Sequence, residues 1–307
     1  MNDAPSTLLA FQARFATEQA CEDFLFRWRW PDGFRCPDCS GPRGTRLRGR
    51  REWQCPDCGR QISITAGTAL HRSKLSLRVW FWAMFLVARH KKSISALQLQ
   101  ADLGLGSYRT AWLLLHKIRS VLSESTDFPL RGVVEIDESL VGRVDKGAIR
   151  GRGSDRAMVV AAVERRPDGR LGSARAEVVP QADAETLVPF VKRSVAPGAR
   201  VETDGWRAYL TLRDEGYSHR RTISVYGRKT LRPVLDAAHL FFSNLKTWIR
   251  GRFHGVSPKY ASAYLGEFTY RFNRRRSPPE ILGWLARRLM NHPARTLDQI
   301  RGAEASA

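Results

Sequence analysis

The residues of this chain whose types and spacing can do chemistry are four cysteines, two aspartates, a histidine and a lysine. Cys36 and Cys39 in "CPDC" are followed, after fifteen intervening residues, by Cys55 and Cys58 in a second "CPDC". Four thiolates suit a closed tetrahedral zinc site, and each two-residue gap lets a pair form a tight knuckle whose amides point back at sulfur. Four protein ligands leave no open position for catalysis, so the metal is expected to be structural and the ribbon a folded platform. Farther along, "VETDGWRAYL" reads as a strand ending in an exposed acid, Asp204. After thirty-four intervening residues, "HLFFSNLKTW" reads as a helix carrying His239 and Lys246. Seven residues is almost two helical turns, so the imidazole and the ammonium share a face. Asp137 lies upstream in a β-branched run, "GVVEIDESLVG".

The elements that must position these groups follow from periodicity. Between Leu75 and Leu122 the pattern is helical. "LSLRVWFWAMFLVARH" is apolar around much of its circumference and reads as a buried helix. "SISALQLQADLG" follows, with Ser93 or Ser95 as N-cap and Gly104 as stop, and then "SYRTAWLLLHKIRSVL". Two short helices joined by "LGLGS" fit a helix-turn-helix, with Tyr108, Arg109 and Thr110 at the start of the reading helix. Residues 130–226 alternate strand and helix patterns: "GVVEIDESLVG", "AMVVAAVERR" and "LGSARAEVV" as strands, then a helix with Asp183 as N-cap, then "ARVETD" as a fourth strand. A short helix and a fifth strand, "SHRRTISVY", precede the helix "VLDAAHLFFSNLKTWIRG". That element order is the order of a ribonuclease H-like α/β domain.

Composition sets the partner. The 307 residues hold 51 Lys and Arg against 30 acids, a net charge of +21 spread along the chain. A surplus of that size attracts a polyanion, and its spread points to nucleic acid more than to a single basic tail. A hydrophobic share of 43% is enough for a buried core. No segment approaches the ~18 uninterrupted apolar residues that cross a bilayer, so no membrane partner is expected. The N-terminus lacks the pattern of a secretion signal. Five cysteines, four in close pairs, fit metal thiolates in a reducing compartment. Cys21 stands outside the pattern and reads as a packed thiol. The expected location is the bacterial cytoplasm, in contact with the nucleoid.

Taken together, these motifs resemble the DDE-type transposases of bacterial insertion sequences. Within them the chain is similar to the group that places a zinc ribbon and a helix-turn-helix before the catalytic core. Asp137 on the first strand, Asp204 after the fourth and His239 on a late helix occupy the places of that superfamily's three metal ligands. Lys246, seven residues after the third, also matches. Further matching text includes "GTAL" after the ribbon, "TAWLLLHKIR", "FSNLKTWIRGRFHGVSPKY" and "EFTYRFNRR", so the likeness runs from about Phe34 to about Arg275. The chain departs in carrying histidine where glutamate is commonest. It reads as a subgroup variant, with a decayed copy or Asp236 in the third role as the alternatives.

The resemblance implies an α/β fold with a ribonuclease H-like catalytic core preceded by a zinc ribbon and a small helical domain. The expected boundaries are an N-terminal helical segment 1–33, the ribbon 34–66, the helix-turn-helix region 73–124, the catalytic domain 130–276 and a tail 277–307 that adds one short helix. It implies that Asp137, Asp204 and His239 hold two Mg²⁺ or Mn²⁺ ions. The partner would be double-stranded DNA, both element ends and target, bound by at least a dimer. Glu135 and Glu202 precede catalytic candidates by two on a strand and so share their faces, whereas Glu138 points to the other face. Lys246, Arg109, Lys146, Arg150, Arg152, Arg274 and Arg275 are the expected DNA contacts. The activity implied is cleavage at terminal inverted repeats followed by strand transfer. The rival readings are a zinc-ribbon regulator without catalysis and a nuclease that cuts without joining.

Overall fold

The computed structural model describes residues 5, 7–48, 50–90, 92–122, 128–142, 156–222, 235–276 and 281–302. The chain divides into two compact units, residues 1–122 with 277–303, and residues 123–276 with the final four. No helix among the described residues is long and apolar enough to cross a membrane.

In the first unit, α1 (Leu8–Arg14) and α2 (Glu18–Arg29) each start at a threonine whose hydroxyl accepts an amide of the first turn. A three-stranded antiparallel ribbon follows, β1 (Thr45–Arg46), β2 (Glu52–Gln54) and β3 (Gln61–Ser63). The apolar helix α3 (Leu77–Arg89) buries Trp80, Phe81, Met84 and Phe85, and Phe11 of α1 stacks on Phe85 at 4.3 Å. The Glu18 carboxylate accepts the Leu77 and Arg78 amides at 3.0 and 2.9 Å, an anion at the positive end of α3. The helices α4 (Ala96–Asp102) and α5 (Tyr108–Arg119) pack together across the expected turn. Of the two expected caps for α4, Ser95 serves, its Oγ accepting from the Gln98 amide. Gly104 ends the helix at φ +58°, a conformation glycine takes without strain.

The second unit is a mixed α/β sheet. Its strands are β4 (Val133–Val141), β5 (Ala157–Arg165), β6 (Leu171–Val179), β7 (Arg200–Thr203) and β8 (Ser218–Arg221). Their order is β6-β5-β4-β7-β8. The pairs β4/β5 and β5/β6 run antiparallel, while β4/β7 and β7/β8 run parallel. Parallel neighbours require a crossover, and α6 (Ala184–Ser194), capped by Asp183 as expected, supplies the one before β7. The expected short helix after β7 is a 3-10 helix, Arg207–Arg213. Two further helices, α7 (Asp236–Phe253) and α8 (Ala261–Asn273), complete the unit.

Alternation along β4 sorts the two cores. Val134 and Ile136 join Leu187, Phe190 and Tyr209 on the α6 face. Val141 joins Phe241, Phe242 and Phe268 on the face covered by α7 and α8. Glu135, Asp137 and Ser139 therefore point toward α7, because side chains two apart share a face. Of the six aromatics in the basic C-terminal flank, Phe268, Tyr270 and Phe272 are buried, while Phe253, Tyr260 and Tyr264 are half-buried against the same core. Phe241 is fully buried and packs edge-on against Phe242, Phe268 and Phe272. Phe241→Ala is expected to lower unfolding free energy by about 3–5 kcal/mol in denaturant titrations. The chain then forms two helices where one was expected, α9 (Ile281–Asn291) and α10 (Leu297–Gly302). In the first unit, α9 packs on α2 and α3.

Candidate active site

Strand register brings the two aspartates side by side. Glu135 pairs with Glu202 and Ile136 with Thr203, so Asp137 and Asp204 are neighbours one step beyond the last pair. Adjacent strands lie ~4.8 Å apart, which puts the two carboxylates within reach of one another's charge. Asp204 is held by its own turn: the Trp206 amide donates to its Oδ1 at 2.9 Å. Behind it, the buried Thr203 hydroxyl donates to the Asp204 carbonyl at 2.9 Å and sits 2.9 Å from His219 Nε2.

His239 reaches the site because α7 is anchored at its first turn. The helix begins after Leu235, in the left-handed region at φ 62°, and has no side-chain cap of its own. Glu135 of β4 supplies the missing acceptor, taking the Ala237 amide at 2.7 Å and the Ala238 amide at 3.2 Å. Arg165 braces it from β5, its Nε 3.1 Å from Glu135 and its Nη2 2.7 Å from Glu202. Burial pushes the Glu135 carboxyl above its ordinary pKa, while the two α7 amides and Arg165 pull the other way. Tyr209 donates to Glu138 on the opposite face, as the alternation required.

From that anchor, His239 Nε2 lies 3.5 Å from Asp137 Oδ2, with the imidazole more than half exposed and the aspartate mostly buried. Asp236 is exposed on the first turn. Two turns past His239, the Lys246 ammonium donates to Ser139 Oγ at 2.6 Å. Burial, then the nearby Arg156, pushes the Lys246 pKa down. Burial also pushes the Asp137 carboxyl up. The Glu138 amide and His239 oppose that shift, and the Asp204 charge adds to it. A crowded pair of carboxylates beside an imidazole is a donor set that a divalent cation would relieve. The donors do not converge on one point. Among the described residues, the four cysteines are the one group of three or more donors lying mutually within 4.8 Å.

Those cysteines fit zinc. Cys36 Sγ lies 3.6 Å from Cys58 Sγ, and Cys39 Sγ lies 3.5 Å from Cys55 Sγ. A tetrahedron with Zn–S near 2.3 Å needs sulfurs ~3.8 Å apart. The two knuckles match in their backbone bonds, with Ser40 N to Cys36 O and Gly59 N to Cys55 O, both at 2.9 Å. The Cys39 amide pulls the Cys36 thiol down to about 7, while neighbouring thiols and burial outweigh the Gly41 and Arg60 amides and push Cys39 and Cys58 up. Gly41 closes the first knuckle, where a Cβ would fall 2.4 Å from Asp57 Oδ2. Cys21 is a packed thiol, pushed up to about 12 by burial.

The other expected contacts are dispersed. Arg109 is exposed at the start of α5. Arg274 lies 3.8 Å over the Tyr270 ring, and Arg275 donates to the carbonyls of Phe272, Leu171 and Gly172. Both guanidinium groups thus bond within the unit, tying the end of α8 down, and β6 lies two strands from β4. Lys146, Arg150 and Arg152 lie outside the described residues. Sequence reasoning did not single out Ser139, Arg165 or Arg156. Ser139 was findable, standing two residues beyond Asp137 on the same face.

Two family models match the chain. Residues 129–273 match the ISXO2-like transposase domain, and residues 16–61 match the transposase zinc-ribbon domain. An uncharacterized protein in transposable element ISH50 of Halobacterium salinarum is 29% identical over 232 residues, covering 69% of this chain and 76% of that protein. An uncharacterized transposase-like protein of Haemophilus influenzae is 28% identical over 96 residues, covering 31% of this chain and 77% of its own length.

Proposed function

From the premise that the chain belongs to the insertion-sequence transposases with an N-terminal zinc ribbon and an ISXO2-like transposase domain, we propose that it cuts DNA at the ends of its element and joins them to target DNA. The observation that carries this reading is the Asp137–His239 approach of 3.5 Å beside the register-matched Asp204. The strand order β6-β5-β4-β7-β8 with one antiparallel flank supports a ribonuclease H-like core.

Asp137, Asp204 and His239 are the residues that would hold two Mg²⁺ or Mn²⁺ ions. When bound, such ions activate the attacking oxygen and stabilise the leaving oxygen of an in-line phosphoryl transfer. Donors spread around a shared central carboxylate suit a pair of ions better than a single one. Asp137 on the innermost strand, with Asp204 and His239 to either side of it, would hold such ions. Lys246, steadied by Ser139, holds a phosphate of the strand being cut. The ribbon carries structural zinc and, with Arg109 and its helix-turn-helix, binds the terminal inverted repeats. The exposed Arg43 and Arg50 suit phosphate contacts there. Two ends must be paired, so the working species is at least a dimer on DNA.

The test is a strand-transfer assay on DNA bearing the element's ends. Joined products support the transposase. Cleavage without joining would leave a nuclease, and binding without either would leave a regulator.

A further inference from the structure

Asp204 stands one residue past β7, beyond the last pair that the strand makes with either neighbour. The backbone is still held at Thr203, whose carbonyl accepts the Thr222 amide at 2.9 Å. After that point side chains take over. The Asp204 carbonyl accepts the Thr203 hydroxyl at 2.9 Å, and the Gly205 carbonyl accepts Arg221 Nη2 at 2.6 Å. Thr203 Oγ1 is in turn 2.9 Å from His219 Nε2. These groups share the α6 face of the sheet. Val201 belongs to that core, Thr203 lies two residues on, and His219 and Arg221 are the register partners of the two on β8.

Proton count gives the direction of the bonds. A backbone carbonyl only accepts, so the single Thr203 hydroxyl proton goes to Asp204, and His219 Nε2 carries the hydrogen that points at Thr203. Thr203 and His219 are both buried, which leaves water little chance to replace either bond. His219 is itself fixed, because Arg213 donates to its carbonyl from Nε and Nη2, both at 3.3 Å. Arg213 ends the 3-10 helix that begins just after Trp206, so the support closes back on the turn that it steadies. We propose that His219 is a positioning residue for the divalent-ion site. Acting through Thr203, it fixes the peptide after Asp204 and with it the angle at which that carboxylate stands beside Asp137. This inference rests on the phosphoryl-transfer reading above. Groups that hold a metal ligand in place are typically worth 10–100-fold in metal affinity; Arg221 keeps the next carbonyl in any case, so a loss of about 10-fold is expected.

The experiment reads Mn²⁺ binding without catalysis, by electron paramagnetic resonance of free Mn²⁺ over zinc-loaded full-length protein. Asp204→Asn serves as the blank for the site. His219→Phe keeps a ring in the buried place and removes the donor, and should bind Mn²⁺ about 10-fold more weakly than the parent. His219→Gln, whose amide N–H has a similar reach, should recover most of the affinity. Thr203→Val should lose as much as His219→Phe, and the double variant nothing more, since the relay is already cut. A merely structural role would instead give losses that add and that follow the melting temperature measured without Mn²⁺. Parent-like affinity in His219→Phe, with the Asp204→Asn blank well below both, would overturn this inference alone, as would additive losses in the double variant. Where His219→Phe fails to fold, Thr203→Val carries the test, and unchanged affinity there overturns the inference equally. A parent that binds Mn²⁺ no better than Asp204→Asn would remove the ion site and this inference with it.

Discussion

Asp204→Asn should stop both cleavage and joining while leaving DNA affinity within about twofold of the parent. The amide keeps the acceptor that the Trp206 N–H uses, so the turn stays formed. What is lost is one negative charge of the proposed divalent-ion site. That charge is worth several kcal/mol to the transition state, so a fall on the order of 10³-fold is expected. Catalysis that survived the change would show that Asp204 does not belong to the site. An imidazole in place of a third carboxylate is a softer ligand, so activity should persist in Mn²⁺ as well as Mg²⁺. Strict Mg²⁺ dependence with inhibition by Mn²⁺ would count against His239 as ligand.

The same site makes a pH prediction. Asp137 has its carboxyl raised by burial and by the Asp204 charge, so the folded protein holds that proton more tightly than the unfolded chain. Its contribution to stability is then full below the unfolded pKa and declines as pH rises through the folded one. Without divalent ions, Asp137→Asn should therefore gain on the parent in melting temperature as pH increases. Mg²⁺ should stabilise the parent and not the variant.

Removing zinc should be the most damaging change to the first unit. Structural zinc in comparable ribbons contributes about 10–16 kcal/mol of apparent binding energy, and that energy is folding energy. Trp53 on β2 reports it: its ring lies 5.3 Å from Phe26 and 5.7 Å from Trp30. Chelation, or Cys36→Ser, should shift tryptophan emission toward that of solvated rings and cost most of the DNA affinity. The second unit, with its own core, should keep its β signal in circular dichroism. Chelated protein that bound DNA normally would sink the zinc assignment.

Much of this was legible in the chain itself, and the reason is periodicity. The paired cysteines, the strand-end acid and the seven-residue step from His239 to Lys246 are local regularities, and local geometry keeps them. What escaped reading was set by long-range packing. The acceptor that starts α7 comes from Glu135, 102 residues earlier, and a helix with no cap in its own sequence does not say where its cap lies. Glu135 and Glu202 were placed on the right face by alternation, but their common partner Arg165 follows only from the β4–β5 register. Arg275 shows the opposite failure. A run of arginines reads as a phosphate-facing surface, yet this one bonds carbonyls of β6, an edge strand with backbone groups left to satisfy.

The borrowed cap has an evolutionary corollary. Because Glu135 fixes where the first turn of α7 starts, the perch at position 239 is built by strand and helix backbone and not by the side chain that stands on it. Mutation can exchange the occupant, imidazole for carboxylate, without rebuilding the address. Losing Glu135 would instead evict any tenant, whatever its chemistry.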